Sequence, residues 1–372
     1  MALKRLGSLG VWMGALAAGA AAWLLLAQAR PVAAGIRQSL AVCGNLLIPS
    51  LFPFMVLATL LPNTRAGWAL AAPARWLGRL YGAPPALAPA LLMSWIGGYP
   101  AGARALAQLV DSRQITPRQA SRALCYCVHG GPAFVVTVVG AGVFGSVRAG
   151  LLLWGCQLAA GILVARLLGR MPRDSAGGSP PPLVFPSFAT ALVSSVSSAA
   201  AGMVTICAFV LLMGGGAAML EATGALGRLA GGLSALTGGW LTPAAARVLL
   251  SGGLEVTVGC AAATGLAPLE ALTVLPFLLS FGGVSVVCQL AASVEGRRLT
   301  LGRLLPARLL HGLLTQLLAW PLLAPLCRAL PAFASGAPAL QADAKTPLAT
   351  LLLLGAVAVF CLTLEEGPVQ NR

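Results

Sequence analysis

Long apolar runs alternate with short polar or glycine-rich interruptions along this chain, and the interruptions carry most of the information. Apolar sequence covers residues 9–27, 31–61, 83–110, 117–139 and 149–168, then 203–220, 268–294, 304–326 and 346–364. The runs are rich in Leu and Ala and show no ten-residue alternation, so they predict membrane helices rather than barrel strands. The first run ends in Ala27-Gln28-Ala29, which resembles a signal-peptidase site, but it is long for a signal segment and predicts a retained helix. Residues 31–47 hold Arg37 and Asn45 and predict an interfacial approach helix. Pro49 and Pro53 then predict a kink or interruption in the span that follows.

The run over 83–110 is split by Ser94-Trp95-Ile96-Gly97-Gly98-Tyr99-Pro100-Ala101-Gly102-Ala103-Arg104. Glycine weakens a helix and proline removes a donor, so the helix should stop here. Each arm has about a dozen residues, about 18 Å of helix, which is too short to cross the hydrocarbon. A re-entrant hairpin is the expected shape. A polar turn over 111–117 follows, with Thr116 placed to cap a helix that starts at Pro117. That helix meets a second break, His129-Gly130-Gly131-Pro132. The stretch over 172–182, with Ser, Gly and three consecutive prolines, predicts a linker.

The pattern then starts again. Ser251-Gly252-Gly253-Leu254-Glu255 breaks one apolar run, and Phe281-Gly282-Gly283 breaks the next, while the glycine-rich stretch over 223–240 reads as a connection. Gly97-Gly98 and Gly252-Gly253 are offset by 155 residues, as are Arg148 and Arg303, and the second breaks are offset by 152. Paired, glycine-broken segments at matching positions mark secondary transporters with internal repeats. Each half holds one span, one hairpin returning to its own side, and two further spans. Three crossings are an odd number, so the second half should enter the membrane in the opposite sense. The expected fold is therefore an all-α polytopic membrane protein with two inverted-topology repeats, each with a re-entrant hairpin and broken helices. The expected boundaries are 1–37 for an N-terminal helix and interfacial segment, 38–171 for the first repeat, 172–185 for the linker, 186–328 for the second repeat, and 329–372 for a C-terminal helix and tail.

Composition agrees with this pattern: 58% of residues are hydrophobic and 9% are charged, too few charges to cover a water-soluble particle. The formal charge of +15 comes from basic residues spread next to apolar runs, as topology signals and headgroup anchors, and gives no reason to invoke nucleic acid. Nine cysteines are scattered, and Cys125-Tyr126-Cys127 is too tight for a zinc pair, so no metal or other cofactor is expected. No Walker loop, HExxH or GxSxG appears, so no enzyme activity is expected.

The candidate chemistry lies at the breaks. A half-helix that starts after a break offers free N–H groups and a dipole to an anion. The expected substrate-binding set is Gly97, Gly98, Tyr99, Pro100, Arg104, His129, Gly130, Gly131, Ser285 and Gln289. Tyr99 can stack on a planar ring, Arg104 adds positive charge one turn into the second arm, and Ser285 and Gln289 share a helix face. Glu255 is the sole acid inside an apolar run, so it and Gly252-Gly253 form the coupling or gating candidate. Glu255 can take a proton or cation, or pair with Arg104; a structural ion pair is the plainer alternative. For the glycines the plainer alternative is close helix packing, and for His129 a structural hydrogen bond. His311, inside the last span of the second half, is expected to hydrogen-bond between helices.

Residues Pro49-Ser50-Leu51-Phe52-Pro53-Phe54, Gly98-Tyr99-Pro100-Ala101-Gly102-Ala103-Arg104, Gly131-Pro132 and Gly142-Val143-Phe144-Gly145 resemble the sporulation integral membrane protein YlbJ (SpoVV) family. So do Gly253-Leu254-Glu255, Gly283-Val284-Ser285-Val286 with Gln289, and Ala307-Arg308-Leu309-Leu310-His311. The resemblance covers about residues 30–328. It implies two nucleoside-recognition "Gate" domains, a core like that of concentrative nucleoside transporters, and a place in the bacterial cell membrane. It also implies a part in passing dipicolinic acid, a planar pyridine dicarboxylate, across the outer forespore membrane. The expected partners are thus a small anionic, dipicolinate-like substrate, the lipid bilayer and a coupling proton or cation, with a homo-oligomer compatible. A nucleoside-type carrier and a non-transporting scaffold or sensor for spore envelope assembly are the alternatives. The chain departs from the family in having Gly97 where Ser is usual, Arg104 for Lys, His129-Gly130 in place of an Asn pair, and Val287 for a His.

Overall fold

The computed structural model describes residues 2–65, 75–169, 171 and 185–330, and every element among them is helical. The expected linker over 172–182 and the last apolar run over 346–364 lie outside the described residues. Helix α1 is Ala2–Ala27. It is followed by α2 (Ala29–Val42), a π-helical turn (Cys43–Leu47) and α3 (Ile48–Leu60), which together form one rod of 32 residues. Here the expectation of an interfacial helix followed by a broken span is corrected. Pro49 falls in the first turn of α3, directly after the widened turn, and the Ser50 hydroxyl donates to the Leu46 carbonyl. Local π geometry and hydroxyl side chains are how membrane helices satisfy groups that proline frees.

Helix α4 is Arg75–Tyr81, α5 is Ala88–Gly97 and α6 is Tyr99–Asp111. Helix α7 (Pro117–Leu124) begins at the expected cap: Thr116 and Gln119 form a reciprocal capping box. After an irregular stretch over 125–132, a π-helical segment (Ala133–Ala141) leads to α8 (Val147–Leu167). Helix α9 is Phe188–Ala222, 35 residues without interruption. Residues 225–236, expected as part of a glycine-rich connection, instead form helix α10 (Ala225–Leu236). Its buried Leu226, Ala230 and Ser234 recur every four residues and supply the stripe that holds it, which offsets its glycines. Helices α11 (Pro243–Leu254), α12 (Val256–Ala263), α13 (Pro268–Leu272), α14 (Leu275–Phe281), α15 (Gly283–Ser293) and α16 (Leu304–Ala329) complete the described chain.

Among the described residues, five stretches are long and apolar enough to cross a membrane: Ala29–Leu60, Val147–Leu167, Phe188–Ala222, Pro268–Ser293 and Leu304–Ala329. Their polarity is distributed inside out. On α16, Leu305, Leu309, Leu313 and Leu317 are exposed, while Arg308, His311 and Thr315 are wholly buried. Apolar surface outward and polar groups inward is what lipid requires. The chain is a multi-pass membrane protein, all-helical among the described residues.

Two pairs of short helices fold back as hairpins. A methyl group added to Gly102 would lie 2.9 Å from the Ser94 Cβ, although the two are eight residues apart. One added to Gly252 would lie 3.2 Å from the Gly259 Cα, seven residues on. In a straight helix such pairs would be about 10–12 Å apart along the axis. The arms have 10 and 13 residues in the first hairpin, and 12 and 8 in the second.

Helix α9 serves as a ruler for where each hairpin sits. Near its start, Arg104 of α6 donates to the Ser198 carbonyl and presses on Gly202. Towards its end, Glu221 pairs with Arg247 of α11, and Val258 of α12 approaches Gly214. The hairpins therefore reach the middle of α9 from opposite ends. The α2–α3 rod runs antiparallel to α9, with Thr59 against Ser195 at one end and Gly35 against Gly214 and Ala218 at the other. Helices α8 and α16 are likewise antiparallel. The end of α8 and the start of α16 both lie beside α7, through Arg122 to the Gly169 carbonyl and Cys125 to the Arg303 carbonyl.

Candidate functional site

The hairpin tips meet at a cavity in the centre of the molecule. Gly97, Gly98, Tyr99 and Pro100 line it from the first tip, and Glu255, Val256 and Thr257 from the second. Gly131 and Phe134 come from the first repeat's other break, Val286 and Gln289 from α15. Leu47, Leu51 and Met55 of the rod and Ile206 of α9 close it with an apolar wall. Its volume is about 40 Å³, space for about three water molecules. A larger solute requires the tips to separate.

Each tip is built differently. Gly98 has φ +80° and ψ −167°, a conformation essentially confined to glycine. A side chain there would also lie 3.0 Å from the Gly131 nitrogen, so the tip and the second break touch backbone to backbone. Pro100 falls in the first turn of α6, where its missing donor costs nothing. At the second tip Glu255 is extended, with φ −147° and ψ 118°. Its carboxylate accepts from the Val258 N–H at 2.9 Å and from the Thr257 hydroxyl, and so caps α12. Gly283 packs on the carbonyl end of α11: an added methyl would lie 2.7 Å from the Gly252 oxygen and 3.1 Å from that of Gly253.

Six of the thirteen residues expected from sequence stand outside the lining. Arg104 extends along α6 towards α9, away from Glu255, and the two form no ion pair. Ser285 lies behind Gln289, which donates to its hydroxyl at 3.0 Å on the shared helix face. His129 is fully buried, with Nδ1 2.8 Å from the Ser94 hydroxyl and its ring 5.3 Å from that of His311. The Gly130 N–H donates to the Gln157 side-chain oxygen at 3.0 Å. Gly252 packs against Gly259 and Leu278, and Gly253 meets nothing within 4 Å of an added methyl.

The residue that ties the His129-Gly130-Gly131-Pro132 and Phe281-Gly282-Gly283 breaks together is Arg308, part of the family-like Ala307–His311 motif. Its Nη1 donates to the Val128 carbonyl at 2.6 Å, just before the first of these breaks. Its Nε donates to Phe281 at 3.2 Å and its Nη2 to Ser280, at the carbonyl end of α14, where the other begins. Tyr99 and Gln157, both from the first half, donate to the Leu279 carbonyl in the same helix end. Orphan carbonyls at a helix C-terminus carry partial negative charge, so a guanidinium suits them electrostatically as well as sterically. Its carbon lies 5.9 Å above the centre of the Tyr99 ring. His311 bonds from α16 to the Gln157 carbonyl of α8 at 2.9 Å, the helix-to-helix role expected of it. A charge within an otherwise apolar span is the sequence signal that singles out Arg308.

No protein-family model matches the chain, and no solved structure does. Among curated proteins, it is similar to the sporulation integral membrane protein YlbJ of Bacillus subtilis (strain 168). The two are 28% identical over 325 residues, covering 78% of this chain and 77% of the relative. Helix architecture and sequence similarity together describe a multi-pass integral membrane protein akin to a sporulation protein.

Proposed function

We propose that the protein is a secondary carrier that moves a small organic acid, dipicolinic acid, across the outer forespore membrane during sporulation. The observation that carries this reading is the meeting of two hairpins at one central cavity, from opposite ends of α9. The antiparallel packing of the rod with α9, and of α8 with α16, supports two repeats inserted in opposite senses. Short helices that start at a cavity are how secondary transporters hold ionic solutes at the bilayer midplane. The hairpins would then be re-entrant, each tip closing the cavity from one side.

The lining makes a specific demand on the chemistry. Among the described residues, Glu255 is its sole ionisable carboxyl group, and no arginine or lysine lines it. A dicarboxylate would meet Glu255 only when that group holds a proton or a cation, so solute and coupling ion would enter together. Glu255 is thus the coupling group, and Tyr99 with Phe134 provides the ring surface. The same lining favours a nucleoside carrier as the second reading, since an acid, an amide and a hydroxyl (Glu255, Gln289, Thr257) suit a neutral, polyhydroxylated solute. Labelled dipicolinate and labelled nucleosides, offered to protein in reconstituted vesicles with and without a proton gradient, separate the two. Saturable dipicolinate uptake that nucleosides fail to inhibit supports the first; saturable nucleoside uptake alone replaces it with the second.

A further inference from the structure

A second and larger cavity, of about 350 Å³, lies between α2, α9, α10, α11 and α12. Three of its walls continue from the central cavity. The rod presents residues 47–55 to the centre and Gln38, Ser39 and Val42 to the outer cavity. Helix α9 presents Ile206 to the centre and Glu221 to the outer cavity. On α12 the change is abrupt: Thr257 faces the centre and Val258 faces outward. One helical turn, closed by the Glu255 carboxylate on the Val258 N–H, forms this wall between the two.

The outer cavity is the more polar of the two. Gln38, Ser39 and Ser251 line it, and the Arg247–Glu221 pair lies at its edge with both side chains about half exposed, at 47% and 48%. Polar groups within a membrane protein mark water-filled paths. On the opposite side, the seam between α6 and α9 is filled by Arg104 on Gly202, and a bidentate Arg297–Asp111 pair holds the far end of α6.

We propose that the outer cavity is a second solute site, an antechamber in which a small carboxylic acid binds Arg247 before it passes to the centre. The incoming carboxylate takes the place of Glu221 on the Arg247 guanidinium. That exchange keeps the arginine paired and frees Glu221 to solvent. The turn at Glu255 is then the partition that must move, so the group that handles the coupling charge also opens the inner cavity. This inference rests on the carrier reading for the identity of the solute, but not for the existence of the site.

Thiol accessibility tests it. Cysteine is placed at Ser39 and, separately, at Ser251 of the full chain in sealed vesicles, with the wild-type protein as the baseline for native thiols. A charged, membrane-impermeant methanethiosulfonate is applied to one face at a time. Both positions should label from one face only, and saturating dipicolinate should slow that labelling about tenfold. With Arg247→Gln added, labelling should persist and the protection should vanish. Labelling no faster than wild type from either face overturns the antechamber. Protection by nucleosides instead of dipicolinate, or protection that survives Arg247→Gln, overturns its assignment to a carboxylate at Arg247. One-sided, protected labelling in a protein that takes up no dipicolinate upholds the antechamber and removes the carrier reading alone.

Discussion

The two hairpin tips face one cavity and solve the same problem by different means. The first is a backbone solution: Gly98 adopts a glycine-only conformation and rests on the Gly131 backbone. The second is a side-chain solution: Glu255 sits in ordinary extended geometry and caps the next helix with its own carboxylate. A turn made from backbone dihedrals is fixed by the sequence. A turn held by a carboxylate is loosened when that group takes a proton or a cation, because its charge-assisted bond to the Val258 N–H becomes a weaker one. In the carrier we propose, the first tip is the stationary one and the second is the one that moves.

The largest test removes the bridge between the breaks that pack against the two tips. Arg308→Met leaves the Val128, Ser280 and Phe281 carbonyls without their donor in a buried setting. It should destabilise the protein by about 3–5 kcal/mol, read as loss of accumulation in membranes or a fall in thermal midpoint in detergent. Arg308→Lys keeps the charge but cannot reach three carbonyls, and should fall between Arg308→Met and wild type. Equal stability for all three proteins would remove Arg308 from its bridging role.

Gly98→Ala comes next. Its strained conformation alone should cost about 1–3 kcal/mol, with the close approach to Gly131 adding to it. Gly253→Ala, at the corresponding place in the second hairpin, has open space around it and should change stability by less than about 0.5 kcal/mol. Thermal unfolding of the two variants side by side measures how unlike the tips are, and equal losses would contradict the comparison. The smallest expected effect on stability is that of Glu255→Gln. The amide keeps an oxygen for the Val258 N–H, so the change should be about 1 kcal/mol or less, while the response of uptake to a proton gradient should disappear.

Much of this arrangement was legible in the sequence because the breaks depend on glycine and proline, whose effects are local. Gly97-Gly98-Tyr99-Pro100 and Ser251-Gly252-Gly253-Leu254-Glu255 mark tips, and the cap at Thr116 follows from its neighbours alone. Where the structure overrides a local signal, the reading failed. Pro49 and Pro53 sit within a continuous rod, Pro49 in the first turn of α3 directly after a π-helical turn. The glycines near 227–232 sit in a helix because Leu226, Ala230 and Ser234 anchor its other face. Side-chain direction was out of reach as well. Arg104 lies one turn from the first tip along the chain, yet its side chain leaves along α9. Arg308, some 200 residues later in sequence, reaches the carbonyls before both breaks.

The most direct measurement is uptake of labelled dipicolinate by wild-type and Glu255→Gln protein in reconstituted vesicles under an imposed proton gradient. Wild type should take it up saturably and faster with the gradient. Glu255→Gln, with its thermal midpoint little changed, should be slower by about tenfold or more and indifferent to the gradient. Equal, gradient-sensitive uptake by both proteins, or no uptake by wild type beyond that of protein-free vesicles, would contradict a cavity closed by two unlike tips and coupled through Glu255.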